Sequence, residues 1–341
     1  MSIRKILKPL SLLLFVTICF PDPSANALNL QKTIFDIEFP LKMSIQTDIS
    51  HLINNREIIP IPAKIYITGN NFEATFNASI EVRGNFRRDP SNCDFPPLRL
   101  RFNETDVRGT IFEGNLDVKI VTHCRENSEK FIQSMSKEYT TYQLYNLLNP
   151  YSLKVKMVEV TYIDDQGELK PMNNQVFLIE DIHHLAERYN MKEVEGKFSE
   201  DDINKDNLLK LSVFQFMIGN TDWIIPFSKN LKFIQDDNRT LAVPYDFDYS
   251  GLVGTDYSRE NGQSILAAPE RKFKGPCYEF NDLQQEFNRL RGMKEELLDH
   301  INQSLYLKAK SKSAMKNYID EFFQIIGSEK KITEYFQEKC N

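Results

Sequence analysis

Between residues 59 and 102 apolar and polar side chains alternate in short runs. Segments 63–68, 78–83 and 97–102 read as strands. In the third, Leu98, Leu100 and Phe102 alternate with Arg99 and Arg101, which predicts one apolar and one basic face. Segment 116–121 repeats the pattern and sets Lys119 opposite Val118 and Ile120. These strands predict a twisted antiparallel sheet. The period then changes. From Phe131, steps of four, three, four and three residues pick out Met135, Glu138, Tyr142 and Tyr145, so 127–148 reads as a helix with one apolar and aromatic stripe. Glu138 lies inside that stripe. It is either a buried carboxylate that needs a partner or an edge residue reaching solvent.

Strands at 156–162 and 174–179 follow, joined by turn residues at 164–167, and a polar connection over 180–205 leaves the sheet. Asp206 is the expected N-cap of a helix whose body, from Leu208 to Ile218, is apolar nearly all round and therefore central. A polar loop over 219–230 leads to two further strands at 231–234 and 240–244. The chain from Asn281 onward reads as amphipathic helices. The expected fold is α+β, with a β-rich half over 28–180 carrying one helix and a mostly helical half over 181–341.

The N-terminus changes the address rather than the fold. Arg4, Lys5 and Lys8 precede an apolar run over 9–20, and Ala25-Asn26-Ala27 offers small residues for cleavage. This is the layout of a secretory signal peptide over 1–27, too short to span a bilayer, so the protein is expected to be exported to a periplasm or outside the cell. No later stretch is apolar enough to cross a membrane. With Cys19 in the leader, four of the five cysteines remain. In an exported chain they can form two disulfides, and Cys93 with Cys124 and Cys277 with Cys340 is the favoured pairing. No cysteine or histidine spacing suggests zinc. A net charge of −6 without blocks of like charge argues against nucleic-acid binding.

Candidate chemistry gathers in 219–251. Gly219, Asn220, Thr221 and Asp222 follow the apolar helix, Asn230 ends the loop, and Asp246 and Asp248 follow the second strand. Asp222, Asn230 and Asp246 are thereby placed at the mouth of one hairpin. Oxygen ligands of this kind suit Mg²⁺ or Mn²⁺ held together with phosphate oxygens and water. The order of parts is that of protein kinases, where a catalytic-loop Asp and Asn precede an acidic metal-binding turn.

Five motifs make this more specific: Val82-Arg83-Gly84-Asn85; Phe95 to Phe102 with its two prolines and alternating arginines; Phe177-Leu178-Ile179-Glu180; Gly219-Asn220-Thr221-Asp222; and Val243-Pro244-Tyr245-Asp246-Phe247-Asp248. Together they resemble the spore-coat CotH kinase-like family and related exported bacterial proteins, over about residues 81–250.

The resemblance implies a two-lobed atypical kinase fold that uses ATP with Mg²⁺ or Mn²⁺ to phosphorylate protein hydroxyls, with a secreted or cell-envelope protein as partner. It implies that Asp222 orients or deprotonates the acceptor and that Asn230, Asp246 and Asp248 serve the metal. Lys119 would contact the α- and β-phosphates and pair with Glu138. Arg83 and Asn85 would cover phosphates, and Glu180 to Ile182 would pass the adenine.

The chain departs from the pattern in two places. Phe86, Arg87 and Arg88 follow Asn85, and Asp222 and Asn230 stand eight apart, against five in the kinase pattern, with Pro226 between. Ala268-Pro269-Glu270 imitates the end of a kinase activation segment. Arg271, Lys272 and Lys274 form a basic cluster that reads as a solvated loop, with phosphate binding as the alternative, and Trp223 reads as a packing anchor. Two other readings are a catalytically inactive binding or assembly module and a metal-dependent phosphate-ester hydrolase.

Overall fold

A computed structural model describes residues 32–70, 72–126, 128–255 and 271–340. The expected leader and the 268–270 tripeptide lie outside these residues. The fold is α+β. Its first part is a closed barrel of seven strands in the order β1-β2-β3-β4-β5-β7-β6: β1 (Leu41–Thr47), β2 (Ile61–Gly69), β3 (Phe72–Val82), β4 (Leu98–Arg101), β5 (Asp117–Val121), β6 (Val155–Asp164) and β7 (Met172–Ile179).

The expected antiparallel sheet is present, and it closes into a barrel. β1 closes it, pairing antiparallel with β2 and parallel with β6, with Leu41 opposite Val158. Strand β1 was not expected, although Leu41, Met43 and Ile45 alternate inward, because its second partner lies more than a hundred residues away. Closure leaves no free edge. Leu98, Leu100, Val118 and Ile120 fill the interior, so Arg99 and Lys119, paired in register, stand on the outer wall.

Short helices α1 (Ile49–Asn54) and α2 (Glu104–Val107) accompany the barrel, so it carries more than the single helix expected. Helix α3 (Glu129–Leu148) packs on β6 and β7, and its buried face joins the second core. The connection expected to be irregular holds α4 (Ile182–Arg188) and β8 (Lys192–Val194). Strand β8 forms a three-stranded sheet with β9 (Leu231–Gln235) and β10 (Thr240–Pro244), a partnership no local period could reveal.

Helix α5 (Lys205–Ile218) is buried as expected, but Asn204 caps it: its Oδ1 accepts from Asn207 N at 3.0 Å. Asp206 instead sits in the first turn and pairs with Lys210. Helices α6 (Phe280–Gln303), α7 (Ala309–Ile326) and α8 (Glu329–Ile332) complete the second core. Disulfides join Cys93 to Cys124 and Cys277 to Cys340, the pairing favoured from the sequence. Among the described residues no helix is long and apolar enough to cross a membrane.

Candidate functional site

A cleft of about 820 Å³ runs along the outer wall of the barrel. That volume falls within the range of small-molecule sites. The loop after β3 lines it with Arg83, Asn85, Phe86 and Arg87, and β4 and β5 contribute Arg99, Asp117 and Lys119. The segment after β7 adds Glu180 to His183, and the opposite side carries Asp222, Lys229, Asn230, Asp246 and Asp248. Every candidate except Glu138 therefore borders one cavity.

The Asp222 loop is built from the end of α5. Gly219 takes a left-handed conformation (φ 65°) that ends the helix. Asn220 Oδ1 then accepts from Asp222 N at 2.9 Å and turns the chain. Trp223 and Ile225 anchor the loop in a small core with Leu208, Leu211 and Phe233. Trp223 is the packing anchor the sequence suggested.

The long spacing from Asp222 to Asn230 does not separate them. The extra residues loop out as a tight hairpin closed by Ile224 N to Lys229 O at 3.1 Å and Lys229 N to Ile224 O at 3.0 Å. Asn230 Nδ2 thus donates to Asp222 O at 2.7 Å and to Oδ2 at 3.0 Å. Lys229, which the sequence reading left without a role, pairs with Asp222 Oδ1. Its position beside Asn230 was visible in the sequence; its reach back to Asp222 was not.

Asn230 O accepts from Tyr245 N at 3.1 Å, tying this loop to the acidic turn. Asp246 then adopts φ 64°, and Ser228 and Asn230 are also left-handed. Such conformations are costly for residues other than glycine and collect at functional sites. Asp246 N donates to Tyr142 Oη at 2.8 Å, and Tyr142 packs on Phe247 with ring centroids 4.6 Å apart.

Tyr142 and Glu138 are one helical turn apart on α3, so the same face delivers Glu138 to the acidic turn. Glu138 is buried, and its carboxyl is pushed well above the usual range, first by burial and then by Asp248 and Asp246. The expected Lys119–Glu138 ion pair is absent among the described residues. Asp248 and Asp246 act on Glu138 electrostatically, opposed by Arg87 and Arg83.

The Lys119 ammonium lies 4.5 Å from the centroid of the Tyr245 ring. Burial, followed by Arg83, Lys232 and Arg99, lowers its pKa to about 8. Arg83 is lowered by burial, with Asp246 the strongest opposing influence, and its Nε is buried without a hydrogen-bond partner. An anion between Lys119 and Arg83 would relieve both.

The Glu180 side chain is committed elsewhere. Its carboxylate accepts from His184 Nδ1 at 2.6 Å, Lys154 N at 2.8 Å and Arg188 Nε and Nη2 at 2.9 Å each. It can serve a ligand through its backbone only, since the side chain fixes α4 to β6 and β7. The exposed His183 pairs with Glu193 at 3.1 Å, and Glu193 also pairs with Lys232 at 2.7 Å. Glu193 was missed in the sequence because β8 was read as loop, and Lys232, on an expected strand, because the strand it meets was not expected.

The basic cluster is also divided by the fold. Arg271 is buried against Tyr318, 3.7 Å from its ring centroid, whereas Lys274 Nζ donates to Thr221 O at 2.8 Å and Trp223 O at 2.9 Å. Only Lys272 stands exposed.

Among the described residues no group of three His, Cys, Asp or Glu side chains could hold a metal as a protein cage. The arrangement fits a cation that arrives with phosphates. Asp246, Asp248 and Asn230 offer oxygens, and after burial the charge of Asp248 and Asp246 is what raises Glu138, a crowding that a divalent ion would relieve.

No protein-family model matches the chain, and no curated protein matches it. Among solved structures, the Helicobacter pylori proinflammatory kinase CtkA is similar over 67% of this chain and 90% of that one, at 12% identity and a TM-score of 0.36. A likeness of that size carries no argument about chemistry, and the CotH resemblance rests on the motifs quoted above.

Proposed function

We propose that this chain is an exported, CotH-like kinase-fold phosphotransferase with two lobes, the barrel and the helical part, on either side of the cleft. It takes ATP with Mg²⁺ or Mn²⁺ and transfers the γ-phosphate to a Ser, Thr or Tyr hydroxyl of an envelope or secreted protein. The observation that carries this reading is the bonding of Asp222 to Lys229 and Asn230 on the same cleft as Asp246, Asp248, Lys119 and Arg83.

In this reading Lys119 and Arg83 hold phosphate oxygens, and Asn85 adds a polar group from the same loop. Asp222 orients the acceptor hydroxyl and takes its proton. The acceptor oxygen bonds to the γ-phosphorus as the bridging P–O bond breaks, and ADP leaves. The cation, held by Asp246, Asp248 and Asn230, neutralises charge on the phosphates when bound. The backbone of Glu180 to Ile182 borders the base.

A second reading, a kinase-fold module that binds a partner without transfer, is favoured by one observation: the Lys119–Glu138 pair is absent among the described residues, and Lys119 lies over the Tyr245 ring instead.

The test is a thermal shift of residues 28–341 with millimolar ATP and Mn²⁺ or Mg²⁺. A metal-dependent rise lost in Asp246→Ala is expected, because a ligand that binds only the native state stabilises it. No rise in the wild type ends both the kinase reading and nucleotide binding. Transfer of labelled phosphate, abolished by Asp222→Ala, separates enzyme from binding module.

A further inference from the structure

Apart from Lys229, which pairs with Asp222, the looped-out hairpin between Asp222 and Asn230 has no part in the chemistry just described, and its build points outward. Two backbone hydrogen bonds close it at Ile224 and Lys229, Pro226 stiffens its 3₁₀ turn over Ile225–Phe227, and Ser228 N donates to Ile225 O at 2.9 Å. Trp223 and Ile225 are buried beneath it. On this fixed base Phe227 is 79% exposed and Ile224 is 36% exposed. An aromatic ring held in water on such a turn gains nothing from folding and is available to an apolar side chain of a partner.

The surroundings define what it contacts. Lys229 pairs with Asp222, Lys274 Nζ is fixed on Thr221 O and Trp223 O, and the exposed Lys272 lies close enough to Lys274 to influence it electrostatically, as do Lys229 and Asp222. On the facing loop, Phe86 is 41% exposed and stands edge-on to Tyr249, 6.3 Å between centroids, at the rim of the same cleft.

We infer that the 224–229 hairpin is the docking ridge for the acceptor: an acidic polypeptide segment with an apolar side chain close to its hydroxyl residue. The apolar side chain packs on Phe227 and Ile224 while acidic neighbours meet Lys272 and the adjoining lysines, which brings the hydroxyl to Asp222. This deepens the proposed function and rests on that reading for the role of Asp222; the surface itself is tested without catalysis.

Fluorescence anisotropy of residues 28–341 would use three labelled probe peptides: an acidic one containing Ser and Phe, the same peptide without Phe, and a basic counterpart. The acidic Phe peptide is expected to bind saturably and to lose about tenfold in affinity when either its Phe is removed or the protein carries Phe227→Ser. Lys272→Glu and added salt should weaken it further. Because Phe227 is exposed, Phe227→Ser should melt like the wild type, and its Mn²⁺–ATP shift should be unchanged.

The inference is overturned by absent binding of the acidic peptide, by equal or tighter binding of the basic one, or by indifference to Phe227→Ser. Sedimentation showing a dimer that Phe227→Ser dissolves, without peptide binding, would assign the ridge to a second copy and overturn it as well. A wild type that binds peptide but shows no Mn²⁺–ATP shift refutes the kinase reading and leaves the surface standing.

Discussion

Lys119 offers a direct measure of how much the cleft sacrifices in stability. Its ammonium is held on the barrel wall against Tyr245, with Arg83, Arg99 and Lys232 adding positive charge and Asp117 opposing them. An amine held at about 8 instead of 10.5 carries a penalty of about 3 kcal/mol at neutral pH. Partial exposure to water reduces this to about 1–3 kcal/mol.

The folded chain then binds fewer protons than the unfolded chain between pH 8 and 10.5, so stability rises with pH across that window. Below it the penalty is present in full. Lys119→Met keeps the apolar stem and removes the charge. Urea denaturation should find the variant more stable than the wild type by about 1–3 kcal/mol at pH 7, with the difference closing between pH 8 and 10.5. Other titrating groups cancel in the difference. The same variant should lose most of its Mn²⁺–ATP shift. A variant no more stable than the wild type at pH 7, or a difference that stays constant up to pH 10.5, would refute the account of Lys119 as a stranded cation.

Other outcomes follow from the same geometry. A Cβ added at Gly219 would lie 2.0 Å from the Tyr318 hydroxyl at a left-handed position, so Gly219→Ala should cost about 2–4 kcal/mol by denaturation, partly restored by Tyr318→Phe. Glu180 is opposed by burial, but His184 and Arg188 outweigh this and hold its pKa below the usual value. Its stabilisation is therefore present above the ordinary carboxylate range and lost as pH falls through the lowered pKa, and Glu180→Gln should cost about 3 kcal/mol at pH 7 and progressively less in acid. The two disulfides close loops of 31 and 63 residues, and reducing each should lower stability by about 4 kcal/mol, read as a fall in the urea midpoint with reductant.

Much of this was legible in the chain. Alternation at Leu98, Arg99, Leu100 and Arg101 places a basic face on the barrel wall, and the α3 stripe puts Glu138 and Tyr142 on one side. Both follow from the fixed periods of strand and helix, which are local properties. The apolar body of α5 likewise announced a buried helix, and the polar residues beyond it announced the loop.

Tertiary structure alone decided the partners. The closing strand β1, the recruitment of β8, the pairing of Lys229 with Asp222 and the action of Asp248 and Asp246 on Glu138 all join residues whose separation in the chain carries no periodic signal. The eight-residue spacing from Asp222 to Asn230 shows the difference most plainly. Counted along the sequence it departs from the kinase pattern; folded, the surplus leaves the cleft as a hairpin, and Asn230 Nδ2 still meets Asp222 at 3.0 Å. Local physics sets which side chains share a face, whereas chain closure and packing set which faces meet.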